Sequence, residues 1–594
     1  MKRTDFSVDW LFAACAPDTE LLPWNAQFTP VDLPHDWQIR HADDLYRDGT
    51  LFYRKYFFVT DVPGTRRMLW FGGAYMDTTV FVNGTEVGQW KYGYTSFWFD
   101  ITDALHEGQN EVLVRCNLRH PNSRWYSGAG LYRNVELWEA PDLHLMPDGL
   151  YVAAKEGDNG AWIVAVTAEA GSVTAASTGR TLTLHLTDDN GSLLGTAAIP
   201  ADAWAALPSP DGWRTGKETA IYKASHTFTL QDPALWDLDA PSFYHITAEL
   251  TGADGVTDTL TTRFGCRTIE ATPDCGLLVN HKRVLIKGVC IHHDFGCLGS
   301  AFEYSAAKRQ LEILKSMGVN SIRTGHTPPA PQFMDLADEM GILMDVESFD
   351  CWRSGKNPYD YGRFFDEWQE KDVAAWIRRD RNHPSLLFWC IGNEIYDTHA
   401  GPEGADTMRM LLAEVAAHDP ARNGIPTLGS NYMPWENTQH CADIIKVAGY
   451  NYGERLYASH HEKHPDWVIY GSETSSIVQS RGIYHFPLSQ SLLSDATCSA
   501  RAWATAAQVG ARRAGMSACR ASSAGHSRWG STFGPGGITS ASRHLTTRAA
   551  AISARLTRQA SRRTPTTLCR PRGSTPKHTQ WYTCSPTGTS TKGS

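Results

Sequence analysis

Arg381-Asn-His-Pro-Ser-Leu-Leu-Phe-Trp-Cys-Ile-Gly-Asn-Glu394 is the stretch on which the reading of this chain turns. Its apolar run, 386–391, has the length of a strand and no polar alternation, which marks a strand buried on both faces. Gly392 is expected to free the backbone so that Asn393 and Glu394 emerge at the strand's C-terminal end, the end at which parallel barrels keep their chemistry. Alone, an Asn-Glu pair there is more often merely solvated, so the surrounding sequence has to decide.

Outward from this stretch, from about Gly276, short apolar strands alternate with helical periods. Strands are expected at 284–289, 321–323, 342–346, 386–391, 426–428, 444–449 and 467–470, with amphipathic helices such as 305–317 and 365–379 between them. Crossovers of that length argue for a parallel (β/α)8 TIM barrel over 276–494 rather than an open sheet. It is expected to be incomplete, because no eighth strand is recognisable. Upstream, 1–140 alternates apolar and polar residues in short runs, among them Phe52 to Val59 and Thr79 to Val82, followed by the turn signal Asn83-Gly84. This reads as a jelly-roll β-sandwich. Its tryptophans (Trp24, Trp37, Trp70, Trp90, Trp98, Trp125, Trp138) are expected mostly in the core rather than on a sugar-stacking face. A second alternating series over 141–270 has the strand spacing of an immunoglobulin-like β-sandwich.

With 594 residues, 42% of them apolar, the chain can bury several large cores. No apolar run reaches membrane-span length and no signal peptide is evident, so no membrane partner and a cytoplasmic location are expected. Thirteen scattered Cys fit free thiols in a reducing compartment. The net charge is -9, yet after Asp495 there are thirteen Arg, two Lys and no Asp or Glu. The body is therefore strongly acidic, which argues against nucleic-acid binding there.

Polar residues gather where the barrel strands end: His292, His293 and Asp294 after the first, Arg323 and His326 after the second, Asp350 after the third. Asn393 and Glu394 follow the fourth, Asn451 and Tyr452 the sixth, and Glu473 the seventh. Two carboxylates from different strands, ringed by His, Arg, Asn and Tyr, suit glycosidic-bond cleavage, which needs a protonated acid for the leaving oxygen and an anion for the sugar carbon. The competing reading of the His292-His293-Asp294 trio is a metal site, but adjacent histidines rarely ligate one ion together.

At these residues the chain resembles glycoside hydrolase family 2, the β-galactosidase, β-glucuronidase and β-mannosidase group, over 1–494. Pro121-Asn-Ser-Arg-Trp-Tyr-Ser-Gly-Ala-Gly-Leu-Tyr-Arg133 is similar to the family's sugar-binding-like jelly roll, and Lys287-Gly-Val-Cys-Ile-His-His-Asp294 to its first barrel strand. Arg323-Thr-Gly-His-Thr-Pro328 resembles the second-strand signature, Arg381 to Glu394 the acid/base signature, and Gly471-Ser-Glu-Thr-Ser475 the nucleophile strand. The resemblance implies a retaining exo-β-glycosidase in which Glu394 is the general acid/base and Glu473 the nucleophile, their carboxyl groups about 5 to 5.5 Å apart. Glu394 would hold a proton through burial and the charge of Glu473, and Glu473 would stay ionised through hydrogen bonds from Tyr452 and Arg323. Asn393 would bind the hydroxyl next to the anomeric carbon, Asp294 and His326 more remote hydroxyls, with Asp350 and Asn451 completing the sugar site. No cofactor and no metal are implied. The partner is a carbohydrate substrate, and a homo-oligomer is compatible. β-Galactosidase is the first expectation and β-glucuronidase the second. A non-catalytic glycan-binding protein is the rival from another class.

The last segment, 495–594, reads as an out-of-frame, disordered tail. Suppose each intended codon is the third base of one residue's codon plus the first two of the next. Phe533-Gly-Pro-Gly-Gly-Ile-Thr539 then permits Trp-Ser-Gly-Trp-Asp-Tyr, and Ala551-Ile-Ser-Ala-Arg-Leu-Thr557 permits Tyr-Phe-Gly-Gln-Ile-Asp. One offset serves from about Ala496 onward. A single insertion or deletion near Asp495 accounts for the tail's composition without a nucleic-acid-binding role, and it leaves a barrel expected to be unclosed.

Overall fold

The computed structural model describes residues 1–41, 44–60, 64–174, 179–207, 216–252, 255–474 and 530–533. The first sandwich packs a four-stranded sheet (Lys2–Asp5, Val135–Pro141, Thr65–Phe71, Phe97–Asp100) on a six-stranded one centred on Gly49–Val59 and Gly108–Leu118. Alternation drives it: Gly108–Leu118 buries every second side chain from Asn110 to Leu118. Trp37, Trp70, Trp90 and Trp138 are core, whereas Trp24 lies open and Trp125 is half-buried. The second sandwich sets a five-stranded sheet around Ala161–Ser172 and Ala220–Gln231 against a four-stranded sheet around Thr181–Asp188 and Tyr244–Gly252.

The third body is a closed parallel barrel of β1 (Ile286–Ile291), β2 (Ser321–Thr324), β3 (Leu343–Glu347), β4 (Leu386–Asn393), β5 (Ile425–Ser430), β6 (Val447–Asn451), β7 (Val468–Glu473) and β8 (Gly530–Phe533). Around it run α1 (Tyr304–Ser316), α2 (Pro331–Met340), α3 (Phe365–Asp380), α4 (Asp397–Ala400), α5 (Glu403–His418), α6 (Glu436–Ile445) and α7 (Tyr457–Lys463). α1 buries Ala307, Gln310, Leu311 and Leu314, one face at helical spacing. α2 begins on Pro331 and stops at Gly341, whose left-handed backbone (φ 61°) breaks the helix. The barrel floor is sealed by Leu343, Phe388 and Tyr470 packed against Trp236, Leu277 and Val279 from outside the barrel. One larger core runs from Trp10 and Leu51 of the first sandwich to Trp352 and Trp376 of the barrel.

Several expectations shift. The expected strand 284–289 is split: Lys282–Val284 pairs with Gly276–Val279 below the barrel, and β1 starts at Ile286. Ile444 and Ile445 close α6 rather than open a strand, because Lys446 turns left-handed (φ 63°) before β6 begins. Seven strands lie in the expected barrel segment, and the eighth, not recognisable in the sequence, is the short Gly530–Phe533, a segment with no apolar run to announce it. β8 runs beside β1 from Ile286 to Val289 but meets β7 at Gly471 alone. Apart from that strand, the tail expected to be out of frame lies outside the described residues.

The stretch 381–394 joins the second sandwich to the barrel's upper rim. Asn382 accepts the Val152 amide (3.0 Å) and donates to the Leu150 carbonyl (2.9 Å), while Arg381 donates to the Asp148 carbonyl (2.9 Å). β4 is then buried at every position. Gly392 lies within the strand rather than releasing it, and a Cβ there would come within 2.6 Å of Ile395. The turn is made by Glu394 itself, whose φ of 47° is left-handed, a conformation that costs a non-glycine residue energy and often marks a functional site.

Candidate active site

β4, β6 and β7 deliver the two carboxylates and the groups between them. Glu473, at the end of β7, is 5% exposed. Its Oε1 accepts Arg323 Nη1 at 2.7 Å and its Oε2 accepts the Tyr452 hydroxyl at 2.6 Å. Tyr452 also bonds the Glu473 carbonyl through its own amide at 2.6 Å, held by a left-handed backbone (φ 54°). Glu394 Oε1 accepts Asn451 Nδ2 at 3.1 Å, and the same amide donates to Asn393 Oδ1 at 2.9 Å. Asn393 Oδ1 also accepts Arg323 Nη2 at 3.0 Å, while Asn393 Nδ2 donates to Asp350 Oδ1 at 3.0 Å.

Two cations complete this rim. Arg124, from the first sandwich, donates to Asp350 through Nε (3.0 Å) and Nη2 (2.6 Å), and to Glu394 Oε2 through Nη1 (3.1 Å). Lys356 Nζ donates to Asp350 Oδ1 (2.9 Å) and to the Asn393 carbonyl (2.7 Å). Although burial works against it, Arg124 and then Lys356 hold the Asp350 carboxyl well below the usual range.

Below the pair, Arg323 is fully buried and faces three carboxylates: Glu473, Glu347 Oε2 (2.9 Å) and Asp345 (3.8 Å). Burial pushes Glu347 well above the ordinary glutamate value and Asp345 up to about 6, against the pull of Arg323. Glu473 is raised too, by burial first and then by the Glu394 charge, with Arg323 and Tyr452 pulling it down. Burial therefore acts upward on all three carboxyls, and the one Arg323 guanidinium is shared among them. His326 contacts Glu347 Oε2 through Nδ1 (3.0 Å) and lies 3.6 Å from Glu473 through Nε2. Burial, then the Arg323 charge, keeps its imidazole neutral.

These bonds join Glu394, Glu473, Arg323, His326, Asp350, Asn393, Asn451 and Tyr452 into one network. Asp294 is buried just after β1, where its charge bears on the Tyr126 phenol of the first sandwich. Sequence reasoning missed Arg124, Lys356 and Glu347. Arg124 lay inside the quoted 121–133 motif but was read as sandwich, and Glu347 ends β3 by the same strand-end logic that selected its neighbours. His292 packs on Trp125 (ring centroids 4.2 Å apart) while His293 turns to the Ser127 carbonyl (3.0 Å), so the pair does not converge on an ion. Among the described residues, metal-like spacing occurs at Asp335, Asp338 and His383, where Arg263 is already ion-paired to both aspartates.

The chain's likenesses agree with this geometry. Residues 271–459 match the model for the TIM barrel domain of glycosyl hydrolases family 2, and 148–267 match a second model of the same family. A β-galactosidase, BoGH2A, of Bacteroides ovatus is 33% identical over 535 residues, 82% of this chain and 61% of its own. A putative β-glucuronidase of Formosa agariphila is 33% identical over 66% of this chain and 37% of its own. The chain therefore spans less than two thirds of these relatives. The crystal structure of a glycosyl hydrolase family 2 member from Bacteroides cellulosilyticus superposes with a TM-score of 0.72 at 30% identity, covering 80% of this chain and 62% of that one. A β-glycosidase from Bacteroides vulgatus gives 0.70 at 28% identity, over 82% and 60%. With barrel, sandwiches and strand-end carboxylates in this arrangement, the chain belongs to glycosyl hydrolases family 2.

Proposed function

We propose that the chain is a retaining exo-β-glycosidase with Glu394 as acid/base and Glu473 as nucleophile. The observation that carries this is the difference in partners between the two buried carboxylates: Glu473 receives a fully buried guanidinium and a phenol, as an anion aimed at a sugar carbon requires, whereas Glu394 receives the Asn451 amide and the guanidinium of Arg124, whose side chain is 28% exposed. Glu473 attacks the anomeric carbon and forms a glycosyl ester as Glu394 gives its proton to the leaving oxygen. Glu394 then takes a proton from water, which attacks the same carbon and releases Glu473. Asn393, fixed by Arg323, Asn451 and Asp350, meets the hydroxyl beside that carbon, where hydrogen bonds strengthen as charge develops. His326 and Asp294 serve remoter hydroxyls.

A neutral hexose, galactose first, is the sugar this reading favours. What supports it is that Arg124, Arg323 and Lys356 are each already bonded to a carboxylate, which leaves them committed before a uronic acid could arrive. The test is a panel of 4-nitrophenyl β-glycosides with the Glu473→Gly variant beside the wild type. Azide should rescue the variant as a glycosyl azide only if Glu473 is the nucleophile. Equal turnover by variant and wild type would refute the assignment, and a glucuronide preferred over the galactoside would favour the β-glucuronidase reading. Binding of glycans without turnover would indicate the non-catalytic alternative.

A further inference from the structure

Three carboxyls surround Arg323, and one of them has no task in the proposed reaction. Glu473 attacks, and Asp345 is engaged by the Tyr470 hydroxyl (3.1 Å). Glu347, the last residue of β3, is fully buried, and its Oε1 has no hydrogen-bond partner among the described residues. A carboxyl held in this way is costly to a fold, because burial disfavours its charge and the unpaired oxygen has lost the bond that water would make. An apolar side chain would fill the position at lower cost. What distinguishes Glu347 is its other oxygen. Oε2 lies 2.9 Å from Arg323 Nη2 and 3.0 Å from His326 Nδ1. Both partners turn their opposite nitrogens to Oε1 of Glu473, Arg323 through Nη1 at 2.7 Å and His326 through Nε2 at 3.6 Å. The four side chains therefore form a closed ring with Glu347 across from the nucleophile. The Glu347 amide donates to Thr324 Oγ1 (2.9 Å), one residue along β2 from Arg323, which ties the ring to two neighbouring strands. On the β5 side the fork is packed so closely that a Cβ at Gly429 would come within 2.6 Å of Nη2.

We propose that Glu347 is a positioning residue for the nucleophile: it stays clear of the substrate and holds the Arg323 fork and the His326 ring against Oε1 of Glu473. The proposal rests on the glycosidase reading, with Glu473 as the attacking group. His326 lines a cavity together with Trp125 and Asp350, whereas Glu347 is fully buried beside it, so the imidazole and not the carboxyl is presented to a sugar. Arg323 Nη2 is shared with Asn393 Oδ1 (3.0 Å), and without Glu347 the fork is drawn toward that amide or toward Asp345 (3.8 Å from Nε). Oε1 of Glu473 then loses its fixed direction, and a displacement of about 1 Å at a reacting atom is enough to slow attack about 100-fold.

The test isolates attack from proton donation. The full chain, and a frame-restored chain alongside it, are treated with 2,4-dinitrophenyl 2-deoxy-2-fluoro-β-galactoside and with the matching glucuronide. Glu473 forms an ester to the anomeric carbon as the bond to the phenolic oxygen breaks, and dinitrophenolate leaves as an anion without needing a proton, so the trapping rate reports the nucleophile. In Glu347→Leu the trapping rate constant should fall about 100-fold while the concentration for half-maximal trapping stays within about threefold of wild type. Glu347→Gln, which keeps an acceptor oxygen for Arg323, should recover about tenfold of that loss, and its Tm should equal or exceed that of wild type. A Glu347 that only supports the fold gives the opposite pattern, a lowered Tm with trapping unchanged. Trapping by Glu347→Gln within about threefold of wild type, or as slow as in Glu347→Leu, overturns the positioning role while the glycosidase reading stands. If Glu347→Leu does not fold, the first of these comparisons decides alone. If neither fluorosugar labels Glu473 in either chain, the glycosidase reading fails and the positioning role fails with it.

Discussion

Arg124 offers the sharpest test of how the site is held. Replacing it with alanine deletes the bonds that cross from the first sandwich to Asp350 and to Glu394 Oε2. A hydrogen bond to a charged group is worth about 1.5–3 kcal/mol, but the Arg124 side chain is 28% exposed and that of Asp350 22%, so solvent screening reduces each term. Asp350 is not stranded, since Lys356 and Asn393 remain bonded to it. Glu394 fares worse, because among the described residues Asn451 is then the side-chain donor left to it. The net loss is taken as about 2–3 kcal/mol of transition-state stabilisation, or roughly 30- to 150-fold in kcat/KM. Arg124→Lys should recover only part, because an ammonium cannot bridge two carboxylates as the fork does. The assay is kcat and KM on phenyl and 2,4-dinitrophenyl β-galactosides, with Tm as the folding control. If Arg124 acts by positioning the proton donor, the phenyl substrate suffers more, since its leaving group needs the proton. A variant within about threefold of wild type on both substrates, with its Tm unchanged, would sink this reasoning.

Tyr452→Phe removes the 2.6 Å donor from Glu473 and should lower kcat/KM about 10- to 100-fold. Because Glu473 is already raised above its ordinary 4.5 and must be ionised to attack, activity should fall as pH drops through a limb above 4.5, and Tyr452→Phe should move that limb further up. A limb at or below 4.5 in the wild type, or one unmoved in the variant, counts against the assignment. His383 is raised to about 9, against burial, by Asp338. Its contribution, on the order of 2–3 kcal/mol, is full below the unfolded value of 6.5 and lost as pH rises through about 9. Tm measured from pH 6 to 9.5 should therefore decline less steeply in His383→Asn than in wild type, and parallel declines would refute it. Finally, a frame-restored tail should raise soluble yield and turnover at least tenfold over the chain as written, and sequencing the DNA around codon 495 should show one displaced reading frame. Equal turnover by the two proteins would remove the first expectation, and a gene without a compatible alternative frame the second.

What the sequence made legible was whatever it wrote locally. Leu386 to Ile391 announces a doubly buried strand, and Arg323, Asn393, Glu394, Asn451, Tyr452 and Glu473 follow from the rule that polar residues gather where such strands end. What stayed hidden depends on contacts across hundreds of residues. Arg124 meets Glu394 from a different body, so no periodicity around either residue could pair them. Glu347 lies one residue beyond the expected strand 342–346, and the convergence of Asp345, Glu347 and Glu473 on Arg323 is what gives it a role. Gly530–Phe533 has neither alternation nor an apolar run, and it is recognised as β8 by its pairing with β1 and, at one position, with β7.

The ladder between Asn382 and the second sandwich, at Leu150 and Val152, bears on how such proteins can be recombined. One fourteen-residue stretch holds a joint at its first end and the proposed proton donor at its last, with the fully buried β4 between. A chimera that keeps this barrel but borrows a foreign sandwich would leave Arg381 and Asn382 facing backbone that does not match, and the misfit would be transmitted along β4 to Glu394. Activity lost in such a swap would look like damage to chemistry although every catalytic side chain was retained. Modular exchange should therefore cut outside the unit formed by residues 148–152 and 381–394, moving the two together.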